Sequence, residues 1–182
     1  MKKLSIIITI LMVMASCVTT KEARLSRIEL RKEKKLTEQA VVRQAVESKR
    51  FIIKLSRLYF TYGGIVDLLQ RANYIIIDGE KAVINAAYLG RQFDIRPIAG
   101  IDVFGKSMNY ELTNNLSRGR YEIKMKVRNG GSNTFDVYLT ISNNGYCSAS
   151  VNSLKINNVT YSGYLVPIQD RTEIPLQKGN AI

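Results

Sequence analysis

The 182-residue sequence contains no histidine and no tryptophan, and only two cysteines and three prolines. Absence of histidine removes the commonest general base and the commonest zinc ligand. The serines at 107, 117 and 150 therefore have no imidazole to activate them. Two cysteines cannot build a disulfide scaffold, and if Cys17 is used elsewhere Cys147 has no partner within the chain. Stability must then come from a packed core, which 46% hydrophobic and 23% charged residues allow. Acidic residues are also scarce, 15 against 27 Lys and Arg, for a net charge of +12. The excess is concentrated early: residues 18–50 hold ten basic and five acidic side chains, a density that the remainder does not match.

Lys2 and Lys3 are followed by an apolar run from Leu4 to Met14. Eleven helical residues span about 16 Å, short of the roughly 30 Å of a hydrocarbon core, so the pattern reads as a signal-peptide h-region and not as a transmembrane helix. Small residues and a cysteine close it, and Met14-Ala15-Ser16-Cys17 resembles the lipobox of bacterial lipoproteins, with Met14 in place of the usual leucine. That resemblance implies a leader at 1–16 cut before Cys17, a lipid anchor on Cys17, and a short tether through residue 21. Two or more acyl chains hold a protein stably on a membrane, whereas one does so only marginally.

Residues 22–50 read as a basic helix, free of Gly and Pro and rich in good helix formers. Leu36, Ala40, Val42, Ala45 and Val46 form an apolar stripe in its second half, which is expected to dock, while the first half is expected to be solvated. Arg31, Lys32, Lys34 and Lys35 are candidates for contact with anionic head groups; the alternative is a solvated spacer. An exported chain meets no cytoplasmic nucleic acid, so nucleic-acid binding is not expected.

Past Ser48 the period changes to two. Tyr121, Ile123, Met125 and Val127 alternate with Glu122, Lys124, Lys126 and Arg128; Phe135, Val137, Leu139 and Ile141 alternate with Asp136, Tyr138, Thr140 and Ser142; Cys147, Ala149 and Val151 follow. Asn129-Gly130-Gly131-Ser132, Asn143-Asn144-Gly145 and Asp78-Gly79 supply hairpin turns. Further strands are expected at 51–55, 73–77, 81–88, 91–96, 101–104, 108–113 and 159–165. The fold expected is mainly β: an antiparallel meander over residues 51–167 forming a small barrel or a sandwich, preceded by one basic helix and followed by a loose tail at 168–182.

The β region resembles a family of small Bacteroidetes lipoproteins that carry a domain of unknown function, the 4251 type. The residues that carry the resemblance are Phe51-Ile52-Ile53 after a helix, Asn73-Tyr74-Ile75-Ile76-Ile77-Asp78-Gly79-Glu80-Lys81-Ala82, Tyr88-Leu89-Gly90-Arg91, Gly100-Ile101, Asn109-Tyr110, the two alternating sets, Gly145-Tyr146-Cys147 and Tyr161-Ser162-Gly163. It implies a Gram-negative envelope and an all-β domain, and no activity. Surface-exported lipoproteins of that group tend to carry acids directly after the anchor; here a single Glu22 lies between Lys21 and Arg24. The expected location is the outer membrane, lipid-anchored and facing the periplasm.

No catalytic, metal or cofactor site is expected. Asp94, Asp102 and Glu111 read as solvent-facing strand charges, and Cys147 as a buried thiol. Ten tyrosines are the richest candidate feature, and Tyr59, Tyr62, Tyr88, Tyr110, Tyr161 and Tyr164 form a candidate interaction surface, although tyrosine is also simply favoured in strands. Two functions remain: a structural or protein-interaction module of the envelope, with an unidentified envelope partner, or a barrel that binds a small apolar or anionic ligand.

Overall fold

The computed structural model describes residues 2–60, 63–68, 72–88, 100–130 and 133–169, with backbone only for residues 2–22 and Leu116. It divides into two units, Met1–Glu38 and Gln39–Ile182.

The first unit is the greater part of helix α1 (Lys2–Glu47). Its side chains from Ala23 onward are exposed, including Leu25, Ile28, Leu30 and Leu36. No helix among the described residues is long and apolar enough to cross a membrane.

The second unit opens with the last turns of α1, where Val42, Ala45 and Val46 are buried at i, i+3, i+4 spacing. The docking stripe is shorter than expected: Leu36 and Ala40 are exposed. The helix ends at Glu47, and Lys49, in the turn just past it, takes the left-handed conformation (φ 55°) usual beyond a helix C-terminus. The chain then enters β1 (Arg50–Tyr59), followed by β2 (Ile65–Asp67), β3 (Tyr74–Asp78), β4 (Lys81–Ala87), β5 (Gly100–Asn115), β6 (Arg120–Asn129), β7 (Thr134–Ser142), β8 (Tyr146–Ser153) and β9 (Ile156–Pro167).

All pairings among the described residues are antiparallel, and β9 returns to β1 with Phe51 opposite Pro167 and Tyr59 opposite Thr160. The sheet therefore closes into an eight-stranded barrel of β1 and β3 to β9. The short β2 shares an edge of β1 with β3, pairing at Arg57–Tyr59 while β3 pairs at Arg50–Lys54. Closure removes free edges along the barrel, which distinguishes the structure from a sandwich. The expected strands at 101–104 and 108–113 are one strand, β5, interrupted by a bulge between Met108 and Glu111 with Asn109 at φ 52°. The expected strand at 91–96 lies outside the described residues.

Alternation delivers Phe51, Ile53, Ile75, Ile77, Ile84, Ile123, Val127, Val137, Leu139, Ile141, Cys147, Ala149, Val151 and Tyr161 to a single contiguous core, joined by Val42, Ala45 and Val46 from the helix. A smaller cluster, Ile52, Tyr74, Ile76, Val83 and Ile168, lies on the opposite side of the sheet. Ile168 thus belongs to the packed structure, bonding its amide to the Arg50 carbonyl (3.4 Å); the tail from 170 onward lies outside the described residues.

Candidate functional site

The interior offers little free chemistry. Cys147 is fully buried on β8, and burial pushes its thiol up to about 12, far from a reactive thiolate. Tyr161 is also fully buried, donating to the Ala87 carbonyl at 2.8 Å, and burial raises its phenol well above the usual range. Tyr88 is buried as well, and its hydroxyl accepts from the Asn157 amide at 3.2 Å. Tyr88 and Tyr161 are therefore corrections to the candidate interaction surface: both spend their apolar rings on the core and their hydroxyls on strand-end backbone groups. Buried Asn73 does similar work, accepting from the Ala87 amide (2.7 Å) and donating to the Leu68 carbonyl (3.2 Å).

Tyr110 has a third role. The bulge in β5 turns it toward the helix end, where its hydroxyl meets the Val46 carbonyl at 3.5 Å and Lys49 Nζ sits 4.5 Å from the ring centroid. Burial pushes its phenol up to about 12. It fastens helix to barrel and is also not a free surface residue.

Of the candidate tyrosines, Tyr164 is exposed and Tyr59 half-exposed; Tyr62 lies outside the described residues. Tyr164 stands opposite Tyr146 on β8 and makes an edge-to-face contact with it, centroids 5.6 Å apart and planes at 76°. The Tyr59 hydroxyl bonds Ser162 Oγ at 3.2 Å, which, ahead of Tyr146 and Arg57, lowers its pKa. Exposed Tyr138 extends this face on β7. Tyr138 and Tyr146 were absent from the expected surface, although Tyr138 sits on the polar side of the Phe135 alternation and could have been read there.

Side chains of β6 to β9 and of the turn between β8 and β9 also line a groove of about 530 Å³ bounded by the Lys126–Asp136 ion pair (2.6 Å), Thr134, Asn152, Leu154 and Asn158. Asp102 and Glu111 lie far apart along β5, and Asp94 lies outside the described residues. No group of three potential metal ligands is present among the described residues. Arg31, Lys32, Lys34 and Lys35 are exposed on the helical unit. The Cys17 side chain is not among those described.

The fold defines a small, closed, antiparallel β-barrel whose interior is packed with its own side chains. The chain belongs to the family of the domain of unknown function DUF4251, whose model matches residues 33–165. It is similar in fold to a DUF4251 family protein from Bacteroides eggerthii, with a TM-score of 0.61 at 17% identity, over 72% of this chain and 89% of that one. No curated protein matches the chain.

Proposed function

We propose that this chain is a non-catalytic interaction module of a Gram-negative envelope, held by acylated Cys17 on the outer membrane and facing the periplasm. One observation carries the reading: Met125, Leu139, Ile141 and Tyr161 fill the barrel's inside, while its outer faces carry the exposed aromatic and charged side chains. A ligand-binding barrel would need that interior space. The lack of histidine and the raised Cys147 thiol support a role without catalysis. The basic segment around Arg31, Lys32, Lys34 and Lys35 would lie where anionic head groups attract it.

Cell fractionation tests the anchor. The wild-type chain should sediment with outer membranes and take up labelled fatty acid, and Cys17→Ser should do neither. A Cys17→Ser chain still labelled and membrane-bound would contradict the proposal. Protease added to intact cells should leave the barrel uncut; digestion without permeabilisation would show that it faces outward.

A further inference from the structure

Among the described residues, charged residues that stand directly opposite one another on neighbouring strands are opposite in sign with one exception. Arg50 faces Asp78, Asp78 faces Lys81, Arg57 faces Asp67, Glu111 faces Lys124, and Lys126 faces Asp136. Three of these are ion pairs, Arg50–Asp78 and Arg57–Asp67 at 3.2 Å and Lys126–Asp136 at 2.6 Å. The exception is a row: Lys81 on β4 faces Lys106 on β5, which faces Arg128 on β6. All three are exposed, and among the described residues none of them is in an ion pair. Directly opposed like charges destabilise a sheet, so this row costs the fold something that the other pairs do not.

Of the neighbouring residues on the same outward face, Lys126 is paired with Asp136 and two others are apolar. Phe104 and Met108 flank Lys106 at two residues either side, and both are exposed, Phe104 by 59%. Phe104 also ends an outward apolar row, Ile52–Ile76–Val83–Phe104, whose first three members are covered. An exposed aromatic next to a line of mutually opposed cations matches a surface that is anionic at its boundary and apolar just beneath. An anionic bilayer presents the two in that order over its whole surface, charge at the boundary and hydrocarbon beneath.

We propose that the outward face of β4, β5 and β6, centred on Lys106, seats on an anionic phospholipid bilayer, with Lys81, Lys106 and Arg128 at the head groups and Phe104 and Met108 at the acyl boundary. The inference rests on the membrane-tethered reading for its setting, and its test is independent of acylation.

The full chain carrying Cys17→Ser is mixed with vesicles of neutral phosphatidylcholine or of phosphatidylcholine with phosphatidylglycerol, and the ratio of the two affinities is measured by co-sedimentation. Taking the ratio cancels any partitioning of the apolar leader. Each cation contributes a factor of roughly five at such a surface, so Lys106→Gln with Arg128→Gln should lower the ratio roughly twenty-five-fold. Lys54→Gln with Arg57→Gln removes the same charge from β1, which is outside the proposed face, and should change it less than about twofold. Phe104→Ser should weaken binding to anionic vesicles while leaving its salt dependence intact. Lys106→Glu should at once weaken that binding and raise the urea midpoint, which separates loss of binding from loss of fold. Equal losses from both charge-matched pairs would overturn the proposal. So would loss confined to Lys32→Gln with Lys35→Gln, which leaves the anchored-module reading standing. Dependence of polyglutamate binding, but not of vesicle binding, on Lys106 and Arg128 would overturn it in favour of an acidic protein partner.

Discussion

The two sides of the barrel wall present different surfaces on one shared core. On β7, β8 and β9 the outward residues include Tyr138, Thr140, Tyr146, Ser148, Ser150, Thr160 and Tyr164, with little charge. On β5 and β6 they include Asp102, Lys106, Glu111, Glu122, Lys124, Lys126 and Arg128. The hydroxyl face answers many of its own polar groups: Tyr59 with Ser162, Ser56 with the Ser162 carbonyl, and Ser150 with Asn158. The charged face leaves Lys81, Lys106 and Arg128 opposed to one another. A surface satisfied within itself asks for no partner, whereas one charged against itself is stabilised by an anion. The difference lies wholly on the outside, because the inward alternation is equally apolar under both faces.

Equal burial under both faces implies equal costs of truncation. Ile123→Ala, under the charged face, and Leu139→Ala, under the hydroxyl face, should each lower unfolding free energy by about 2–5 kcal/mol in urea titrations, since both side chains are fully buried. A cost under the charged face below about 1 kcal/mol would mean that the core is not shared.

Next come two glycines at close strand approaches. A Cβ on Gly163 would stand 2.0 Å from the Lys54 carbonyl oxygen, and one on Gly105 would stand 2.1 Å from that of Arg128. Backbone must move in either case, so Gly163→Ala and Gly105→Ala should each cost about 1–3 kcal/mol by thermal or urea unfolding. Wild-type stability in either variant would contradict these approaches.

Stability should also fall at alkaline pH. Cys147 and Tyr110 have folded-state pKa values raised to about 12 by burial, above ordinary values of about 8.5 and 10. Both are neutral when protonated, so their contribution is complete below the unfolded values and is lost as pH climbs from about 9 to about 12. Cys147→Ala should flatten the earlier part of that decline and Tyr110→Phe the later part, as read by urea midpoints across the range. A thiol reagent at pH 8 should label Cys147 only on unfolding.

The smallest effect has the opposite sign. Lys106→Glu places an anion between Lys81 and Arg128 and should raise stability by about 0.2–1 kcal/mol. Lys124→Glu, which opposes Glu111, should lower it by a similar amount. A destabilising Lys106→Glu would show that the row is already compensated.

Much of the barrel was legible in the chain. Strands β6, β7 and β8 follow their alternation and turn residues closely, because each lies between a core and solvent. The β5 bulge was not legible: Asn109 changes the inward phase mid-strand, so one long strand reads as two. Nor was β2, three residues after Gly63-Gly64 with no alternation to show. Closure depends on β1 meeting β9, which local patterning does not encode. The same holds for surface chemistry. Tyr161 and Tyr164 are neighbours on one strand and similar in type, yet one is in the core and the other in solvent, separated only by phase around Ser162 and Gly163. The cation row exists only through register between three strands, so no stretch of sequence displays it. The lipobox-like residues, by contrast, are legible in sequence alone.

On the proposed function the barrel acts through its outside, its interior being occupied by its own residues. Native mass spectrometry of the full chain, released gently from membranes, tests this most directly. The expected mass is that of the acylated chain from Cys17, with lipid adducts that are anionic, exchangeable and reduced by Lys106→Gln with Arg128→Gln. A stoichiometric small molecule that survives detergent exchange, resists those substitutions and is lost on Leu139→Phe in the core would contradict it.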